Sequence, residues 1–484
     1  MILALIILLP AVAGLAAFFI TWPFLRRALL LLTAVSHAAL IAFCWIVRPE
    51  PILNGWIALD SAGLLFMTVS GVLFLAASIY AIGYLSREPK EQQDTDEGFF
   101  FTNTPENIFI ACLQLFLSAM ALVCTSQHFG LLWVAIEATT LASAPLIYFH
   151  RHHRSLEATW KYVLICSVGI GLALLGTLIL TVSASAIHNN LMISELTDNS
   201  QLINPEWLKA AFLLFLVGYG TKMGLAPLHT WLPAAHSESP SLVSALLSGA
   251  LLNCSFLGIL RIHQVCVYAG QSEFSCNLLI FFGLFSMAVA AVFIIAQKDF
   301  KRMLAYSSVE HMGILALGVG LGGTAVFASM YHLINHSLTK GMLFLAAGNI
   351  IAFYKTRTSS DVKGILKRIP ATGILWTAGL FAIAGFPPFG LFVSEFTIFK
   401  TAFDQGHFYI CAIFLALLAL IFAGMAYVML NMSQGENADG KEKESLLMVL
   451  PPVVLGIITL ILGLYIPDFL TNVLNEISII FGAL

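Results

Sequence analysis

Charge is scarce in this sequence. Asp, Glu, Lys and Arg make up 10% of its 484 residues, against roughly 25% in an ordinary soluble domain. Hydrophobic residues supply 59% and the mean hydropathy is +0.91, which excludes a water-soluble globular enzyme. Catalytic motifs are missing as well. The loops carry no nucleotide-binding loop, HExxH motif, thiolate cluster or catalytic triad, and none is long enough to form a catalytic domain. The Gly-rich stretch Gly318–Gly323 lacks the Lys-Ser/Thr ending of a phosphate loop and reads as close packing or a tight turn. Eight cysteines occur without CxxC spacing, most of them inside apolar runs, where they read as small buried hydrophobes. Any redox centre coupled to this chain therefore belongs to partner subunits. The net charge of -3 gives no basis for a nucleic-acid partner.

What is present is a succession of apolar runs about 20 residues long, the length needed to cross a bilayer as helix and too long for barrel strands. They predict an all-α polytopic membrane protein with about 14 transmembrane helices: 2–22, 28–47, 60–85, 107–126, 129–149, 158–186, 207–226, 239–263, 274–296, 304–321, 326–353, 372–400, 408–432 and 447–467. The first run lacks a basic leader and reads as a retained span, not a cleaved signal. The apolar stretch 469–484 is too short for another full crossing. If the first connection, holding Arg26 and Arg27, is cytoplasmic, alternate connections collect 16 of the 23 basic residues, Lys90 and Lys301 among them. Arg48, Lys209 and Arg261 fall on the other side, and Lys161, Lys222, Lys340 and Lys400 are internal. The positive-inside rule then places both termini on the periplasmic or extracellular side of the lipid bilayer, here a bacterial or archaeal inner membrane.

Two spans carry breaks. The seventh looks interrupted within Gly218–Pro233, and the twelfth within Ala384–Glu395. Proline removes a backbone donor and glycine yields readily to unwinding, so freed carbonyls at membrane depth must face protein or a cavity. Each break lies near an ionisable group, Lys222 or Glu395. Such paired breaks fit two inverted five-helix repeats, 107–263 and 274–432, between a three-helix segment 1–106 and a C-terminal segment 447–484.

Ionisable residues inside apolar stretches are costly and need partners. Glu137 is paired with Lys222 in this reading, as a gate. A lysine balanced between burial and a nearby carboxylate can exchange its proton when the partner moves. His332, His336 and Lys340 recur every four residues and so share one helical stripe, suited to proton relay. The lysine among them, with no carboxylate or thiolate alongside, argues against a metal site there. Glu310 and His311 are adjacent and point apart, so at most one need face that stripe. Ser307 and Ser308 can support a water chain. His229 and His236 flank the first break, and Asn253 can orient a water without holding a proton.

The run Lys222, Pro227, His229-Thr230-Trp231-Leu232-Pro233, Ala235-His236 and Ser239-Pro240, with Tyr306-Ser307-Ser308, Glu310-His311-Met312-Gly313 and His332 through Gly348, resembles the antiporter-like proton-translocating subunits of respiratory complex I, group 4 hydrogenases and Mrp antiporters. The chain looks most similar to the F component of hydrogenase-4-like complexes. The resemblance implies a fourteen-helix fold and assigns Glu137, Lys222, Lys340 and Glu395 to the proton path. It also implies integral membrane partners and a peripheral redox arm carrying iron–sulfur clusters and a nickel–iron centre, with no cofactor in this chain. Where the family often has a second lysine in the eighth helix, this chain has Asn253, so water or Ser248 must bridge that gap. Alternative assignments are a subunit of a sodium/proton antiporter or of an inorganic-carbon uptake complex.

Overall fold

The computed structural model describes residues 1–88, 91–93, 100–188, 191–295, 297–435 and 440–482. Lys90 lies outside them. The chain opens with three helices, α1 (Ile2–Phe19), α2 (Pro23–Ile46) and α3 (Ser61–Leu85). A two-stranded antiparallel ribbon, β1 (Glu91–Gln93) with β2 (Phe100–Thr102), precedes α4 (Glu106–Thr125), α5 (Phe129–Ile147) and α6 (His153–Ser183). A short α7 (Ile193–Asp198) leads to α8 (Pro205–Met223), α9 (Trp231–Glu238) and α10 (Ser241–Leu246). A π-helical segment, Leu247–Leu251, joins α10 to α11 (Leu252–Tyr268), so that Ser241–Tyr268 forms one span with a bulge in it. Then come α12 (Ser272–Ile295), α13 (Phe300–Leu321), α14 (Thr324–Tyr354), the short α15 (Ile365–Arg368), α16 (Pro370–Ile383), α17 (Gly390–Asp404), α18 (Phe408–Ser433), α19 (Leu446–Leu464) and α20 (Asp468–Phe481). Gly322 and Gly323, both at positive φ, form the turn between α13 and α14.

Among the described residues, twelve helices are long and apolar enough to cross a membrane. They differ in what surrounds them. In Ser241–Tyr268 and Phe300–Leu321 every residue of the most apolar stretch is buried, whereas in α1, α2, α18 and α19 about a third or less is. The polar side chains therefore sit on central helices, facing protein instead of lipid, where each must find a partner or water.

Both sequence breaks are breaks in the helices. Gly224, at φ 89°, ends α8 in the left-handed conformation that glycine adopts without strain, and its N–H donates back to Gly220 O. The Thr221 carbonyl, which accepts from the Gly224 N–H at 3.3 Å, also accepts from Trp231 Nε1 at 2.8 Å, and the Ala226 N–H donates to Ser286 Oγ at 3.0 Å. In the second break α16 ends at Ile383, Gly385 takes φ 64°, and α17 begins at Gly390.

Two internal lysines prove to be surface residues. Lys161 pairs with Glu157 at 2.5 Å and Lys400 with Asp404 at 2.5 Å, all four side chains more than half exposed. Both pairs are i, i+4 contacts on one helix face, so these lysines need no buried partner. Lys301 goes the other way. Counted as a loop residue by its place in the sequence, it lies in the first turn of α13 with 2% exposure. Its amine donates to Ser239 O at 2.5 Å.

Candidate functional site

The buried polar groups form two arrays with hydroxyl-bearing residues between them. In the first, Lys222 at the end of α8 is wholly buried. Its amine donates to Ile136 O at 2.5 Å, Thr139 Oγ1 at 2.7 Å and Thr140 Oγ1 at 2.5 Å, all on α5. Glu137 is half-buried on the same helix and accepts from Thr140 Oγ1 at 3.2 Å and from Ser167 Oγ of α6 at 3.1 Å. Glu137 and Lys222 are thus not a contact ion pair. One turn of α5 supplies enough oxygen to satisfy the amine, and Thr140 stands between the two charges, accepting from one and donating to the other.

The second array centres on α14. Lys340 donates to Leu304 O at 2.6 Å and to Ser307 Oγ, both on α13. Glu310 and His311 both lie close to α14, the carboxylate near enough to Lys340 for their charges to interact and the imidazole within the histidine stripe. The ring of His311 packs between those of His332 and His336, with centroids 5.1 and 4.9 Å away. His311 Nδ1 lies 2.9 Å from His332 Nε2, and His332 Nδ1 lies 2.9 Å from Ser394 Oγ of α17. Glu310 is also buried, at 4% exposure. Glu395 follows Ser394, so its carboxylate joins the same cluster. Several polar atoms here have no protein partner: both ring nitrogens of His336, His311 Nε2, Asn335 Oδ1 and Glu395 Oε1. Buried groups of that kind are ordinarily met by water, so these atoms mark a wet interior.

Between the arrays, Asn253 donates to Ser337 Oγ of α14 at 2.8 Å, and Ser248 Oγ lies 2.8 Å from Ser308 Oγ of α13. Ser248 lies in the π-helical segment, where a π-bulge shifts the register of the side chains that follow it. On the side of the second half, Asn253 and Ser248 thus meet hydroxyls on two helices, α14 and α13.

His229 and His236 flank the first break, but they face aromatic rings. His236 stacks on Phe344 at 4.9 Å and 12°, with both nitrogens unpartnered, and His229 lies 6.0 Å from the ring of Tyr306. Beyond His236 opens a cavity of about 880 Å³ lined by Arg87, Arg154, Lys298, Lys301 and Arg357 among others. These residues come from four of the basic connections, so those connections share one end of the molecule. Arg357 pairs with Glu238 at 2.9 Å there. His150, in the connection between α5 and α6, is held neutral. Burial, and then the charges of His152, Lys301 and Arg357, push its pKa down to about 3.

The family model for the NADH:quinone oxidoreductase/Mrp antiporter membrane domain matches residues 126–421. A hydrogenase-4 component F homolog of Methylacidiphilum infernorum is 32% identical over 428 residues, covering 87% of this chain and 88% of that protein. The chain belongs to the NADH:quinone oxidoreductase/Mrp antiporter family. Hydrogenase-4 component B of Escherichia coli is 29% identical over 76% of this chain, which spans only 54% of that relative. A chain of the membrane-bound sulfane sulfur reductase, an archaeal respiratory membrane complex, shares the fold with a TM-score of 0.89 at 20% identity, covering 99% of this chain and 97% of that one.

Both arrays lie within the matched span of this antiporter family, and so do the residues that sequence reasoning left out: Thr139, Thr140, Ser167, Ser337, Asn335 and Ser394. Their signal was weak, since single polar residues are common in membrane helices and only the fold brings Thr139, Thr140 and Ser167 against a charge and Ser337 and Ser394 against Asn253 and His332.

Proposed function

We propose that this chain is a proton-translocating subunit of a multisubunit membrane oxidoreductase of the hydrogenase-4 or complex I type. The observation that carries it is the set of buried ionisable groups from Lys222 through Lys340 to Glu395, with Asn253 and serine hydroxyls on the helices between and a cluster rich in unpartnered polar atoms at the end. A scaffold has no use for buried amines on separate helices away from any contact carboxylate, whereas proton transfer requires such groups. In this reading protons enter from the basic cavity past His236 and His229 and load Lys222. They cross by Asn253, Ser337 and the Ser248–Ser308 pair to Lys340, and leave through His336, His311 and His332 to Glu395. Glu310 is a reserve site beside the histidines. Glu137 gates the first step through Thr140, which transmits the carboxylate's charge state to the amine.

The proposal includes the finer architecture. Counting α8 with α9, and α16 with α17, as two interrupted spans adds them to the twelve long helices, making fourteen with 107–263 and 274–432 as inverted repeats. The basic ends face the cytoplasm and both termini the periplasm. Integral partners and a redox arm supply the driving reaction, and any iron–sulfur or nickel–iron centre sits there.

The test is proton translocation by the assembled complex in sealed vesicles. Lys222→Ala and Glu395→Gln are each expected to lower it by at least tenfold with assembly intact. Wild-type rates in both would rule the route out. The family match also spans Mrp antiporters, and sodium-dependent proton exchange without any redox substrate would favour that second reading.

A further inference from the structure

His311, His332 and Glu395 come from three different helices, and their ligand atoms all lie within 4.8 Å of one another. The sequence gives no hint of this, because the histidine stripe on α14 has no carboxylate beside it. The fold supplies one from α17 and a second imidazole from α13. Two imidazole nitrogens and a carboxylate oxygen are the donor set of open zinc sites, in which the remaining position is left to water.

The hydrogen bonds around the cluster point the donors inward. Ser394 Oγ–H donates to Leu391 O at 2.8 Å, so Ser394 Oγ accepts from His332 Nδ1–H. That leaves the lone pair of His332 Nε2 facing His311, with its ring orientation fixed from behind, as an outer partner fixes a metal-bound histidine. His311 Nδ1–H then donates to His332 Nε2 at 2.9 Å. A tetrahedral ion with bonds near 2.0 Å holds its donors about 3.3 Å apart, so the two rings need open by only about 0.4 Å. For His311 to ligate through Nδ1, its proton moves to Nε2. The imidazole stays neutral, and a proton is released only if Glu395 holds one.

We propose that His311, His332 and Glu395 form a binding site for a divalent transition-metal ion of the zinc class, and that filling it stops proton passage. The second half rests on the route proposed above. A fixed dication there takes His311, His332 and the terminal carboxylate out of the route, so a proton that reaches His336 or Glu310 from the Lys340 side cannot pass on to Glu395. Sodium and magnesium, which take oxygen donors, are poor fits to two imidazoles.

The experiment uses the purified complex with its native partners, equilibrated for hours because Glu395 is only 7% exposed. Zinc is titrated against a chromophoric chelator, and cobalt(II) is added separately as a spectroscopic probe. Wild type is expected to bind one ion per chain here and to give the visible absorption of a low-symmetry cobalt site. X-ray absorption at the zinc edge should show two imidazoles and a carboxylate oxygen. His332→Gln and Glu395→Gln should each weaken binding at least a hundredfold. Ser394→Ala, which keeps all three ligands, should weaken it about tenfold. Absence of this binding in wild type, or equal binding in both ligand variants, overturns the site whatever the complex pumps. Zinc bound in this geometry with translocation undiminished would leave the site standing and overturn the route.

Discussion

Gly385 and Glu395 meet with no room for a side chain between them: a Cβ on the glycine would strike the carboxylate. Gly385 also sits at φ 64°, a backbone conformation other residues adopt only with strain. The second helix break thus makes space for the last acid of the cluster. Gly385→Ala is expected to cut proton translocation by roughly tenfold or more, since displacing a reacting group by about 1 Å can cost that much. Flux measured in vesicles at equal complex content checks it. An unchanged rate would mean that the position of Glu395 is not critical.

Thr140 tests the gate. Its hydroxyl accepts from Lys222 and donates to Glu137, and no other described group bridges the two. Thr140→Val keeps the shape but leaves the lysine with Ile136 O and Thr139 only, and the glutamate without that donor. The expected result is a complex that assembles and translocates about tenfold more slowly, with Thr140→Ser close to wild type. Equal rates in the valine and wild-type proteins would remove Thr140 from the mechanism.

The long spans and the two breaks are legible in the sequence because lipid permits so little else. Apolar runs must match the bilayer, and Gly and Pro mark where a helix cannot continue. Lys222, Lys340 and Glu395 stand out for the same reason, as charges where hydrocarbon forbids them. Lys161 and Lys400 look alike in sequence but face outward, because an i, i+4 acid on the same surface is a local solution that periodicity alone does not distinguish from burial. The Glu137–Lys222 pairing identified the right neighbours and missed the threonine between them. Long-range convergence is the least legible part. Nothing near His332 foretells that Ser394 and Glu395 arrive beside it, because that depends on how the interrupted α16–α17 segment packs on α14.

His150 predicts a dependence on pH. Its folded pKa, about 3, lies below the ordinary histidine value of about 6.5, so the unfolded chain binds a proton more readily. Stability from keeping this ring neutral is full above about pH 6.5 and is lost as pH falls toward 3, amounting to at most about 2 kcal/mol by pH 5. Its side chain is 19% exposed and Glu88 lies 3.8 Å away, both of which reduce that figure. Thermal unfolding of the complex at pH 7 and pH 5 should show a smaller acid-induced drop in His150→Gln than in wild type. Identical drops would mean that other groups govern acid stability at this end.

Asn253 decides how the two halves communicate. Its amide donates to Gly249 O and to Ser337 Oγ, both at 2.8 Å, while its own carbonyl oxygen is unpartnered. It cannot carry charge, so its contribution is to hold Ser337 and a water at one spacing. Ser248 and Ser308 offer a parallel link one turn away. If both links conduct, Asn253→Leu and Ser248→Ala each slow translocation only a few-fold, and the double variant slows it by far more than their product. Vesicle flux in the four proteins measures that coupling. A double variant no worse than the product of its singles would mean that the links do not substitute for one another. A double variant at the wild-type rate would place the crossing between halves elsewhere in the bundle.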